Sequence, residues 1–203
     1  IGMDSRIGSK FLNASLGFGG SCFKKDILSL VYLCRSYGLN EVADYWDAVV
    51  HMNEYQKNRF VQGMLTAMFN TLAGKKIALF GFAFKANTGD TRETPAIDVT
   101  RKLVAEQAEV VVTDPKALEN ARVDLQGMPV AFADDPYFAA AGSDAIAVIT
   151  EWDVYRTLDY EHIFSSMRKP AFVFDGRNIL DHRRLFDMGF NVYAVGKVPL
   201  VHF

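Results

Sequence analysis

Apolar residues recur along this chain in two rhythms, and the change between them falls near Gly74. Before Gly74 the spacing is helical. Over residues 25–37, Ile27, Leu28, Leu30, Val31 and Leu33 recur at threes and fours, and Gly38 is a fitting stop. Asn40 can cap a second helix, with Glu41, Asp44 and Asp47 early in it. Val42, Tyr45, Trp46, Val49, Met52, Tyr55, Phe60, Met64, Met68 and Leu72 then predict one helix over 41–72. A helix this long packs between domains or subunits.

After Gly74 the pattern shortens. Apolar runs predict strands over 76–80, 109–113, 129–133, 145–150, 171–174 and 191–195. Helical spacing predicts helices between them, over 94–106, 136–141, 160–167 and 183–188, the first with Thr94 as cap and Pro95 at its first position. The alternation indicates an α/β fold: a helical segment (residues 1–74) followed by a Rossmann-like, doubly wound parallel sheet (residues 75–203). Such sheets bind ligands beyond the carboxyl ends of their strands. Residues 81–92, Asp114, 150–152 and 175–177 all fall there, which points to one shared site.

Composition narrows the classes. Half of the 203 residues are apolar and 13% are aromatic, enough for a sizeable core. The net charge is -2 with scattered cations, which argues against a nucleic-acid or membrane-surface partner. Two cysteines make no disulfide framework, and a reducing cytoplasm is the expected home. No apolar run reaches the ~18 residues of a membrane span. The histidines and carboxylates show no metal-ligand spacing.

The candidate chemistry begins in a Gly-, Ser- and Asn-rich opening segment. In the run Gly17-Phe18-Gly19-Gly20-Ser21-Cys22-Phe23-Lys24-Lys25-Asp26, a cysteine stands at a helix start beside two lysines. Helix dipole and ammonium groups favour the thiolate, so Cys22 is a candidate nucleophile. The alternative, a small buried apolar residue, suits Cys34 among Val31, Leu33 and Tyr37. Lys85, just past a strand, can meet a phosphate as a point charge, or simply solvate the strand end. Arg177 follows another strand in the turn Asp175-Gly176-Arg177. Arg92 has Asp90 and Glu93 as local partners, and Arg6 reads as a surface residue. The Gly81 turn, Gly-Phe-Ala-Phe-Lys, lacks the second glycine that a pyrophosphate needs, so this sheet is not expected to hold a dinucleotide.

Three blocks also resemble a known family in its order and spacing: Gly17 to Asp26, then Gly81-Phe82-Ala83-Phe84-Lys85 through Thr88-Gly89-Asp90-Thr91-Arg92-Glu93, then Phe174-Asp175-Gly176-Arg177. The chain resembles the UDP-glucose/GDP-mannose dehydrogenase family, most closely its UDP-glucose branch. The likeness covers essentially all 203 residues but only the C-terminal part of such an enzyme. With Ile1 opening the chain, a piece of a longer protein is expected.

The resemblance implies oxidation of UDP-glucose to UDP-glucuronate with two NAD. Cys22 attacks the C6 aldehyde, and the thiohemiacetal becomes a thioester that water hydrolyses. Lys25 and Asp26 join Cys22 as catalytic residues. Asn13, Ala14, Ser15, Leu16, Gly17, Phe18 and Gly19 wrap uracil and ribose, although Asn13 departs from the family's usual basic residue. Phe84, Lys85 and Arg177 bind substrate, and Arg6 reaches the neighbouring subunit's site. Cys22, Phe23, Lys24, Lys25 and Arg92 face NAD, Lys24 at a position that varies. NAD itself sits mainly on an N-terminal domain without a counterpart here, so the chain alone is expected to be inactive. A homo-oligomer through the long helix is expected too. The alternatives are a dehydrogenase for GDP-mannose or UDP-N-acetylmannosamine, or a nucleotide-sugar-binding or dimerisation module without chemistry.

Overall fold

The computed structural model describes residues 1–202, apart from the side chains of residues 10 and 11. Two helices come first, α1 (Phe23–Ser36) and α2 (Asn40–Ala67). Strands and helices then alternate: β1 (Lys76–Phe80), α3 (Pro95–Ala105), β2 (Glu109–Thr113), α4 (Leu118–Asp124), β3 (Val130–Phe132), α5 (Pro136–Ala140), β4 (Ala145–Val148), α6 (Tyr160–Ser166), β5 (Phe172–Asp175), α7 (His182–Asp187) and β6 (Asn191–Ala194).

The strands form one all-parallel sheet in the order β3-β2-β1-β4-β5-β6, as the alternating pattern predicts. The order reverses between β1 and β4, and a crevice opens beyond the carboxyl ends at such a reversal. Strands β1, β4 and β5 are buried along almost their whole length, as central parallel strands are. Helix starts in this half carry the expected chemistry. Thr94, Asp135, Asp159 and Asp181 each accept backbone N–H bonds at the head of α3, α5, α6 and α7.

Several elements differ from the sequence reading. Helix α1 starts two residues early, making Cys22 the residue that flanks it. Leu39, and not Asn40, flanks α2. Helix α2 stops at Ala67 instead of about Leu72, because Phe69 and Asn70 take left-handed φ of 66° and 57°. Asn70 N–H then bonds back to Leu65 C=O at 2.9 Å, and the Lys75 ammonium caps the Met68 carbonyl. The turn drives Leu72 into the core at 1% exposure. Strand β4 ends at Val148, since Ile149 and Thr150 both bond the Phe80 carbonyl. Helix α4, with only Leu118 and Ala121 buried, went unpredicted, as did 3-10 turns at Ser9–Leu12 and Asp153–Arg156.

The apolar residues of α2 serve two surfaces. Val61, Met64 and Met68 belong to the core shared with the sheet. Ala43 and Val50 pack with Ile27, Val31 and Cys34 of α1. Met64 and Met68 are therefore core residues, while Tyr45, Met52 and Tyr55 stay exposed. Lys57, 2% exposed, pairs with Glu54 at 2.7 Å and with Asp98 of α3 at 2.5 Å. Burial pulls its pKa down, but the two carboxylates outweigh burial and leave it raised. The buried charge is thus neutralised and bolts α2 to α3.

Candidate functional site

The loops at the sheet's point of reversal converge on two carboxylates. Asp114, 4% exposed at the end of β2, accepts Phe82 N–H at 2.7 Å and Ala83 N–H at 3.0 Å. It also accepts Lys116 and Ala117 N–H and the Trp152 indole N–H at 3.0 Å. The turn after β1 is tight as well. Gly81 has φ +96°, and a Cβ there would lie 2.4 Å from that of Thr150, so only glycine fits. Glu151 is the second carboxylate. Its Oε1 accepts Ala86 N–H at 3.2 Å, and its Oε2 pairs with the Arg177 guanidinium.

Arg177 joins the opening loop to this cluster. Its Nη1 donates to Ser15 Oγ at 2.9 Å, and Asp175 accepts its backbone N–H at 3.0 Å. Burial pulls the guanidinium's pKa down, against Glu151 and Asp175. Asp175 is fully buried. Burial raises its pKa, but bonds from His182, Leu180 and Arg177 outweigh that and hold the carboxyl below its usual range.

The 13–20 loop is fastened at three places. Leu16, fully buried, sits against Gly176. Asn53 of α2 accepts Phe18 N–H at 2.8 Å and donates to the Phe18 carbonyl at 3.0 Å. Gly20 N–H bonds Arg92 C=O at 2.9 Å, and its α-carbon lies against the Phe84 ring. A Cβ on Gly19 would come 2.5 Å from the Glu93 carbonyl, which explains glycine there. Ser15, Leu16, Gly17, Phe18, Gly19, Phe84, Lys85 and Arg177 are therefore gathered along one edge. Lys85 is exposed, with its ammonium over the Phe84 ring. Asn13 and Ala14 are exposed and, among the described residues, Arg6 pairs only with nearby Asp4, so none of these three joins the cluster.

Cys22 is exposed, with Ser21 Oγ 3.8 Å from its sulfur. The Arg92 guanidinium is close enough for Cys22 to help hold its pKa up, after the larger contribution of Asp90. Lys24 pairs with Glu93 at 2.7 Å, tying α1 to the loop before α3. Lys25 and Asp26 form an open pair at 3.9 Å, about 70% exposed on both sides. A cleft of about 610 Å³ beside them is lined by Ser21, Lys24, Lys25, Tyr32 and Glu93. Another of about 620 Å³, between α2 and the segment after β6, contains none of the expected site residues.

Residues 78–182 match the UDP-binding domain of the UDP-glucose/GDP-mannose dehydrogenase family, and residues 1–55 match that family's central domain. The chain belongs to this family. It is 52% identical to UDP-glucose 6-dehydrogenase 1 of Oryza sativa subsp. japonica, over 97% of this chain and 45% of that protein. It is 50% identical to UDP-glucose 6-dehydrogenase 4 of Arabidopsis thaliana, with the same coverage. Among solved structures, a UDP-glucose dehydrogenase from the hyperthermophilic archaeon Pyrobaculum islandicum superposes with a TM-score of 0.77 at 34% identity, over 95% of this chain and 41% of that one. The chain thus spans less than half the length of the relatives it matches.

In this UDP-glucose/GDP-mannose dehydrogenase chain the sheet's own glycine turn does not fit NAD. The Phe82 and Ala83 N–H groups that would meet a pyrophosphate are both taken by Asp114. Sequence reasoning missed Asn53, Lys57 and Glu151. Asn53 and Lys57 could have been found: they are polar residues four apart on the face of α2 that buries its apolar neighbours. Glu151 lay inside a strand end already marked, but nothing in its neighbours singles it out from Asp153.

Proposed function

We propose that this chain supplies the UDP-sugar site and the nucleophile of an NAD-dependent UDP-glucose 6-dehydrogenase. The observation that carries this reading is the Ser15–Arg177–Glu151–Ala86 network, which joins the opening loop to the three segments that follow β5, β4 and β1 at the sheet's reversal point. Residues 75–203 hold the UDP moiety. Phe84, Lys85 and Arg177 meet it from the sheet, and the 13–19 loop covers uracil and ribose. Residues 1–74 contribute the cysteine loop and, through exposed Tyr45, Met52 and Tyr55, a homo-oligomer contact. Arg6 serves a neighbouring subunit's site through that contact. The setting is cytoplasmic.

The chemistry lies at the exposed start of α1. The C6 alcohol of the sugar first loses two electrons and two protons to become an aldehyde. Cys22 Sγ then adds to that carbon, and the aldehyde oxygen takes a proton to give a thiohemiacetal. Two-electron oxidation of that carbon leaves a thioester, and water releases the carboxylate and the free thiol. When bound, NAD supplies the hydride acceptor for both oxidations. Lys25 and Asp26 orient the reacting groups, and Phe23, Lys24 and Arg92 face the cofactor. Because Asp114 takes the Phe82 and Ala83 N–H groups of this sheet's glycine turn, we propose that the 203-residue chain alone turns nothing over.

Titration calorimetry tests the binding half: UDP should bind the chain, and Lys85→Ala should weaken it about tenfold or more. Absorbance at 340 nm tests the rest. The purified chain with UDP-glucose and NAD should form no NADH, and in the full-length enzyme Cys22→Ser should block carboxylate release while Cys34→Ser does not. UDP that binds Lys85→Ala as well as wild type, or a fully active Cys22→Ser enzyme, overturns the assignment.

A further inference from the structure

We infer that Glu151 is a positioning residue that aims Arg177 into the UDP site and ties it to the Lys85 loop. The inference rests on the UDP-site reading above and adds a residue to it. A guanidinium that is only 15% exposed needs an anionic partner, and Glu151 supplies it. Glu151 is itself fixed, because its other oxygen holds Ala86 N–H, the peptide that follows Lys85. One carboxylate therefore joins the turns after β1 and β5 across the end of β4.

The donor count supports positioning rather than saturation. Arg177 has five N–H donors in a rigid fork. Nη1 donates to Ser15 Oγ and Nη2 forms an ion pair with Glu151 Oε2, and among the described residues no other partner takes Nε–H or the further Nη–H donors, which are left for a ligand. Two anchors fix the plane of the fork. A plane fixed in advance loses less freedom when an anion or a polar ring edge docks against it. Asp175 completes the frame by holding the Arg177 backbone N–H.

The test has two arms. The first needs no ligand. In nitrogen-15 spectra the Arg177 Nη protons should be resolved and slowly exchanging in wild type. They should average in Glu151→Gln, which keeps an acceptor for Ala86 N–H but removes the charge. The second arm is UDP titration. Glu151→Gln should weaken UDP about tenfold, yet change affinity less than about twofold in an Arg177→Ala background. A scaffold role would cost the same in both backgrounds. Glu151→Asp keeps the charge and shortens the reach; it should show the same loss and replaces Glu151→Gln if that variant melts below the assay temperature. UDP bound equally by wild type and Glu151→Gln overturns the inference, as do freely rotating Arg177 signals in wild type. If wild type binds no UDP, the UDP-site reading falls, and the spectra alone decide whether Glu151 orients Arg177.

Discussion

The sheet edge and the cysteine edge of this molecule meet along one backbone junction but are built in opposite ways. At the sheet edge nearly every polar group has a partner. Asp114 accepts five bonds, and Arg177, Glu151 and Asp175 interlock. At the cysteine edge Cys22 is exposed, Lys25 and Asp26 lean on each other in water, and Arg92 is 69% exposed. The geometry proposed for binding is thus set by this chain's own fold. The groups proposed for chemistry stand on an open surface, where what covers them decides their strength.

The sharpest way to break the contrast is Asp114→Ala. It strips four peptide N–H groups and an indole of their shared acceptor, and should cost about 3–5 kcal/mol. Calorimetry should show melting lowered by about 10 °C or more. Next comes the junction. Gly19→Ala forces a Cβ against the Glu93 carbonyl and should cost about 2 kcal/mol, read as a shift in urea midpoint. A smaller effect follows pH. Asp175 has a folded pKa below its unfolded value, so its contribution is present above about pH 4 and drains away as pH falls through the lower folded value. Urea melts between pH 5 and 2 should lose less stability in Asp175→Asn than in wild type.

The cysteine edge should scarcely register in stability. Cys22→Ser should move the midpoint by less than about 0.5 kcal/mol, yet iodoacetamide should label Cys22 far faster than Cys34, which is 7% exposed. Equal labelling of the native protein would erase the contrast. Smallest of all, Asp26→Asn breaks a solvated pair and should stay within about 0.5 kcal/mol.

This asymmetry also explains what was legible in the sequence. Strand and helix order followed from apolar periods, because β1, β4 and β5 are buried nearly throughout and leave continuous apolar runs. Thr94-Pro95 announced α3 by local capping chemistry. The end of α2 was read too late, because a left-handed Phe69 has no local signature and only Asn70 beside it, a residue that tolerates that conformation, marks the stop. At the site, glycines and single charged residues could be flagged from neighbours in the chain. Pairings that span long sequence separations could not, as Ser15 with Arg177 and Asn53 with Phe18 illustrate.

The contact between Gly20 N–H and the Arg92 carbonyl makes the protein a ruler. With Gly19 pressed on the Glu93 carbonyl and Gly20 bonded to Arg92, the backbone that leads to Cys22 is registered against the loop after Phe84–Lys85 by main chain rather than by rotamers. Rotamer changes can retune what lies at either mark, but only a shift of the main chain can move the marks apart.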